Sequence, residues 1–211
     1  MTPGLLRYAL ACGVAVPSLY FGAQILAAPW YPGFDVLRDG ASELGSAHSR
    51  CPIIFNTTAL VCGACGLVAA PALGIALHAR RLGGWLPWLF ALATASAGFG
   101  ALWAGWYPMP HPRHAEPWPS AGLFFLPLLT ALLVWRGLWK NHRVLRLYAW
   151  VNLAAFLLLV PLLSPLGERF LHGSRGLVQR LAAATAFVPI GVVAWSLNRK
   201  QELPSPGCRG V

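Results

Sequence analysis

The sequence predicts an all-α fold: a polytopic transmembrane bundle of six helices, with the N- and C-termini cytoplasmic. Three observations predict it. Only 10% of residues are charged, against about 25% in a soluble domain, while 57% are hydrophobic. The apolar residues fall into six blocks, each close to the roughly 20 residues needed to cross a hydrocarbon core about 30 Å thick. Acidic residues collect in alternate connecting segments, and the segments between them carry only basic charges.

The blocks run over about 5–28, 52–77, 85–106, 117–139, 145–166 and 176–197, with a short tail at 198–211. They consume the chain, so residues 1–211 are expected to form one transmembrane domain. The apolar run of the first block, Tyr8 to Ala28, is too long for a secretory signal core of roughly 7–15 residues, and Arg7 is the only basic residue before that run, so the block is retained as a helix. Arg80 and Arg81 follow the second block. Arg136, Lys140, Arg143 and Arg146 surround the junction after the fourth, and Arg199, Lys200 and Arg209 end the chain. If the helices alternate, all of these share one side with Arg7, and the positive-inside rule makes that side cytoplasmic. The net charge of +10 is thereby assigned to topology and anionic lipid headgroups, and nucleic acid is excluded as a partner.

Tryptophans mark both ends of the blocks, as amphipathic rings do at headgroup depth. Trp30, Trp103, Trp106 and Trp118 are expected at the outer interface; Trp85, Trp88, Trp135, Trp139, Trp150 and Trp195 at the inner one. Pro17, Pro71, Pro87, Pro127, Pro161 and Pro189 fall inside blocks, where membrane helices tolerate and often kink at proline. Cys62-Gly-Ala-Cys65 has redox spacing, yet it sits mid-block beside Gly63 and Gly66 and is read as small residues in a helix interface.

Polar chemistry collects on the other side. The outer loops 29–51, 107–116 and 167–175 hold Asp35, Asp39, Glu43, Glu116 and Glu168, five of the six acids, and His48, His111, His114 and His172, four of the six histidines. In the first loop, Asp39 is expected to cap a short helix carrying Ser42 and Glu43 in its first turn, with Arg38 paired to an acid. On a helix Asp39 and Glu43 share a face, and paired carboxylates can bind metal or divide acid and base roles. Asp39, Ser42 and Glu43 are therefore the candidate catalytic residues. His111 and His114, three apart near Glu116, are candidate zinc ligands, although Pro110 and Pro112 prevent a regular helix there. Arg180, one turn into the sixth block with Gln179 beside it, is a costly cation at that depth. It is expected to pair with Asp39 or Glu43 or to hold a lipid phosphate, so Arg38, Gln179 and Arg180 are the candidate substrate-binding residues.

Tyr31-Pro-Gly-Phe-Asp35, Arg38-Asp39, Ser42-Glu-Leu-Gly45, Trp106-Tyr-Pro108 and Gly176 with Gln179-Arg180 resemble the family called domain of unknown function 998. Members are prokaryotic proteins of about six membrane helices, which implies a prokaryotic inner or plasma membrane and a fold, but no activity. The sequence departs from that pattern in the second loop, where Met109, Pro110 and His111 stand in place of an early acidic residue. A looser similarity, in residue type and not in spacing, is to membrane hydrolases of the alkaline ceramidase type, which gather Ser, Asp and His around zinc at one membrane face.

Two functions stay open at this point. One is a lipid-directed membrane hydrolase working at the extracytoplasmic face. The other is a non-catalytic accessory, scaffold or lipid-binding membrane protein, with membrane lipids, other membrane proteins or a second copy of itself as partners. A transporter is disfavoured, because no charged residue lies near the middle of any block.

Overall fold

The computed structural model describes residues 1–164, 167–171 and 173–199, and all but the side chain of Glu168. Leu166, His172, Lys200, Cys208 and Arg209 lie outside the described residues. Six apolar helical spans, each long enough to cross a membrane, make up the architecture. Their α-helices are α1 (Pro3–Ala27), α2 (Pro52–His78), α3 (Leu86–Trp106), α4 (Leu126–Trp135), α5 (Arg143–Leu159) and α6 (Arg175–Arg199).

Prolines set several of the starts. Pro3, Pro52, Pro87 and Pro127 occupy the first helical turns, where the missing N–H costs no internal bond. Thr2 adds a side-chain cap, its Oγ1 accepting from the Leu5 amide at 3.4 Å. Of the prolines expected inside helices, Pro17, Pro71 and Pro189 are interior, while Pro161 opens a short 3₁₀ turn.

The fourth span differs from the continuous helix expected over 117–139. Its first part, Trp118–Phe125, is a 3₁₀ helix, and only Leu126–Trp135 is α-helical. Pro119 and Pro127 remove two amide donors, and α3 supplies a replacement partner. Ser96 Oγ donates to the Pro119 carbonyl at 3.1 Å and accepts from the Gly122 amide at 2.9 Å. Eight residues is long for a 3₁₀ segment, whose usual limit is about 3–4. Backbone of this kind is tolerated at membrane depth only where protein or a cavity surrounds it.

Helix association rests on small residues, because lipid offers no hydrophobic gain for helices that merely touch. α2 and α3 form the most extensive pair. A Cβ on Gly63 would fall 2.5 Å from the Gly98 carbonyl, and one on Gly66 would fall 2.9 Å from the Gly98 Cα. The Cys62–Cys65 segment is thus part of a close backbone approach, and the buried Cys62 thiol donates to the Val16 carbonyl of α1 at 3.5 Å. α1 in turn meets α6, where a Cβ on Gly191 would collide with Pro17 at 2.7 Å. α5 is peripheral and is tied to α6 by Asn152 Nδ2, which donates to the Thr185 carbonyl at 2.8 Å. Ile53, Leu92, Val151 and Leu158 are exposed along the spans, a surface suited to acyl chains and not to water.

Alternation of the spans gathers the segments 28–51, 107–117, 160–164, 167–171 and 173–174 at one end, here the acidic end. The turns 79–85 and 136–142 lie at the other, the basic end, with the start of α1. Most tryptophans are exposed near one end or the other, but Trp139, expected in the inner belt, is buried.

Candidate functional site

The segment from Tyr31 to Cys51 is folded into the acidic end. Gly33 adopts φ +74°, which reverses the chain without the penalty a side chain would bring. Residues 35–39 then close on themselves. Asp39 Oδ2 accepts from the Asp35 amide at 2.8 Å, and the Asp35 carbonyl accepts from the Asp39 amide at 2.8 Å. Asp35 Oδ1 accepts from the Leu37 amide at 2.9 Å. Arg38 faces outward and pairs with Asp35 at 3.3 Å, an exposed contact of small energetic weight.

Two expectations are corrected here. The short helix exists, but it is a 3₁₀ turn over Ala41–Gly45 whose N-cap is Gly40, without a side-chain cap. The Asp39 carboxylate is turned back to the Asp35 amide instead of forward into that helix. Because the turn starts after Asp39 and has three residues per turn, Asp39 and Glu43 do not share a helical face. Leu44 and Ala41 are buried with Ala23, Ala27 and Phe55, which anchors the segment to α1 and α2. Asn56 Nδ2 donates to the Gly45 carbonyl at 3.0 Å and fixes its far end.

Arg180 organises the site from α6. Its side chain is only 9% exposed. Nε donates to Gln24 Oε1 of α1 at 2.9 Å, and Nη1 donates to the carbonyls of Val36 at 2.9 Å and Asp39 at 2.7 Å. The guanidinium carbon lies 5.4 Å from the Phe34 ring centroid, within cation–π range. Nη2 is buried and has no hydrogen-bond partner among the described residues. The expected ion pair is therefore replaced. Arg180 grips the main chain of Asp39 and not its carboxylate, and among the described residues no carboxylate lies within 4.0 Å of it. The physical reason is the closed 35–39 turn, which already uses the carboxylate and leaves the Val36 and Asp39 carbonyls directed at the guanidinium.

Neighbours on α6 complete the docking. The Leu177 amide, in the first turn of α6 where no intrahelical acceptor exists, donates to the Leu37 carbonyl at 3.1 Å. Gln179 Oε1 accepts from the Ala41 amide at 3.3 Å. Gly176 allows this approach, since a Cβ there would strike the Asp39 carbonyl and lie 2.8 Å from Arg180 Nη1.

Beneath the segment is a partly open cavity of about 160 Å³ between α1, α2, α3 and the 3₁₀ stretch of the fourth span. Ala59, Ala97, Ala101, Ala104 and Phe187 make most of its wall apolar; Ser42, Ser120 and Tyr20 bring hydroxyl groups to it. Ser42 is half-buried at its edge, in the 3₁₀ turn that follows the Asp39 carbonyl held by Arg180.

The second loop is organised separately. His111 Nδ1 accepts from the Arg113 amide at 3.2 Å, and His114 Nδ1 bonds the Tyr107 carbonyl at 2.8 Å. Trp103 and Trp118 meet edge to face at 5.2 Å, and Arg113 lies over Tyr107. Both histidines hold the loop's shape, and among the described residues no group of three or more His, Cys, Asp or Glu side chains could hold a metal ion.

The structure thus brings Ser42, Gln179, Arg180 and the main chain of Asp39 to one locality. Glu43 is half-buried and makes no side-chain hydrogen bond among the described residues, and Arg38, His111 and His114 are used elsewhere. The sequence reading missed Gln24, Phe34 and Tyr20. Gln24 had a signal, being one amide in an otherwise apolar first span, where polar side chains usually bond across helices.

A family model described as protein of unknown function (DUF998) matches residues 14–196. The chain belongs to this family. The match takes in Gln24, the segment 31–51 and Arg180, so every element of the DUF998 site just described lies inside it. No curated protein and no solved structure matches the chain.

Proposed function

We propose that this DUF998 protein is a lipid-binding membrane protein that takes an amphiphile at the acidic end of its bundle, its apolar part in the cavity under the 31–51 segment and its polar part near Ser42. The cavity carries the reading: an apolar pocket within a membrane-length bundle, edged by hydroxyl groups, beneath a segment held at the Asp39 carbonyl by a buried guanidinium. Ligand sites generally combine apolar walls with a few placed polar groups. The unwound stretch of the fourth span supports it, since such backbone accompanies cavities in membrane proteins. The loop charges support an extracytoplasmic position for this end.

The binding reading is preferred to a lipid hydrolase because the cavity brings Ser42 no basic side chain; its lining contains no histidine and no carboxylate. Lipid retained by protein purified in mild detergent tests the proposal. One lipid class should be enriched over the bulk membrane, and Ala59→Phe with Ala104→Phe should abolish that enrichment while the protein stays folded. Equal retention by wild type and the filled variant overturns it. Conversion of the retained lipid by wild type but not by Ser42→Ala would move the assignment to a hydrolase.

A further inference from the structure

The basic end carries a second feature, independent of the cavity described above. Between α4 and α5 the turn 136–142 makes two neighbouring hollows that share Lys140 and Asn141. One, of about 260 Å³, also includes Arg80, Trp139 and His142; the other, of about 470 Å³, includes Arg143, Arg146, Leu147 and Trp150.

Three properties of these hollows converge. The side chains of Arg80, Lys140, Arg143 and Arg146 form no hydrogen bond or ion pair with any described residue, and no acid precedes Glu202 on this side of the chain. Unpaired cations that border one depression attract a shared anion. The turn itself is held in an unusual shape: Gly137 is at φ +106° and Trp139 at φ +62°, a position bulky residues avoid. Trp139 is nonetheless 3% exposed, and its indole N–H, in the wall of the smaller hollow, is buried without a partner among the described residues. Finally, the larger hollow is amphipathic. Leu147 and Trp150 are exposed one and two turns into α5, below the cations, where an acyl chain would run.

We infer that the hollows at the α4–α5 turn bind the headgroup of an anionic phospholipid, with Lys140, Arg143 and Arg146 on its phosphate and Leu147 and Trp150 along its first acyl segment. The amphipathic wall commits the site to a lipid rather than a soluble anion. Phosphate held by guanidinium groups over an interfacial tryptophan is the chemistry expected at this depth.

The test uses the full chain in nanodiscs of mixed phosphatidylcholine and phosphatidylglycerol. Lipids that remain bound after transfer to detergent are counted by mass spectrometry. Wild type should retain phosphatidylglycerol preferentially. Arg143→Gln with Arg146→Gln should lower that preference on the order of tenfold. Arg81→Gln with Arg199→Gln, which removes the same charge from the same end, should leave it nearly unchanged. Equal losses in the two variants would mean diffuse attraction only and would overturn the site, as would displacement of the lipid by millimolar inorganic phosphate. A measurement on wild type guards against misfolding of the variants: phosphatidylglycerol should protect Arg143 and Arg146, but not Arg81, from an arginine-modifying dicarbonyl. Equal modification of all three would also refute the proposal.

Discussion

Replacing Arg180 by alanine tests the central interaction of the acidic end. The substitution removes three hydrogen bonds, to Gln24, Val36 and Asp39, and the contact with Phe34. Bonds to a charged group contribute about 1.5–3 kcal/mol each, which sets an upper range of roughly 5–9 kcal/mol. Two of the three acceptors are carbonyls of a surface segment that water can reach once it lifts, so the net loss should be about 3–5 kcal/mol. The damage should be local first, because Leu177, Gln179 and Asn56 also hold the segment. Limited trypsin digestion in detergent reads it directly: Arg38 is exposed, and cleavage there should accelerate strongly in Arg180→Ala while the spans stay intact. Arg180→Lys should rescue only in part, since an ammonium lacks the fork that reaches Gln24 and two carbonyls together. Asp39→Ala separates main-chain capture from an ion pair. Main-chain capture predicts an effect well below that of Arg180→Ala, confined to the loss of the bond to the Asp35 amide. Equal destabilisation by Asp39→Ala and Arg180→Ala, with strong coupling in the double variant, would refute main-chain capture.

Gly176→Ala should loosen the same segment by about 1–3 kcal/mol, because the added methyl meets the Asp39 carbonyl; unchanged trypsin cleavage at Arg38 would contradict it. Gly98→Leu should prevent recovery of monodisperse protein, since α2 leaves no room for a side chain there, whereas Gly22→Ala, with open space around it, should be neutral by size-exclusion chromatography. In a background with Cys51 replaced by serine, an impermeant maleimide applied to intact cells should label His48→Cys and not Asn141→Cys; both positions are exposed, and the reverse pattern would invert the assigned orientation.

The spans were legible because membrane crossing imposes one long apolar run per helix, and the prolines marked where several runs begin. The 3₁₀ stretch at Trp118–Phe125 was not, because its composition is as apolar as an α-helix and its cause, Ser96, is on another span. Arg180 stood out in the sequence as a cation at a costly depth. Its partners did not, for a reason that applies beyond this protein: sequence displays carboxylates, but every residue carries a carbonyl, and only the fold decides which carbonyls are left without a donor. The Asp39 turn decides it by using its own carboxylate internally. The pairing of Asp39 with Glu43 failed because helical spacing was assumed where the chain makes a 3₁₀ turn that starts only after Asp39. Trp139 was placed in the interfacial belt by its position, while the positive φ of its turn directs it into the core.

Holding a guanidinium with neutral carbonyls has an electrostatic consequence that an ion pair would not have. A carboxylate within contact distance cancels most of the charge, whereas carbonyl and amide oxygens satisfy its donors and leave its field in place. The charge of Arg180 thus persists at the acidic end with one nitrogen unused, close to a hydroxyl-edged cavity. The three groups it bonds come from α1 and from both ends of the 35–39 turn, so the charge, the cavity roof and two transmembrane helices are joined as one unit. Any molecule that enters under the segment must either fit beneath this unit or release it, and releasing it strands Arg180 with unpaired donors near hydrocarbon. That cost favours keeping the 31–51 segment docked over the cavity.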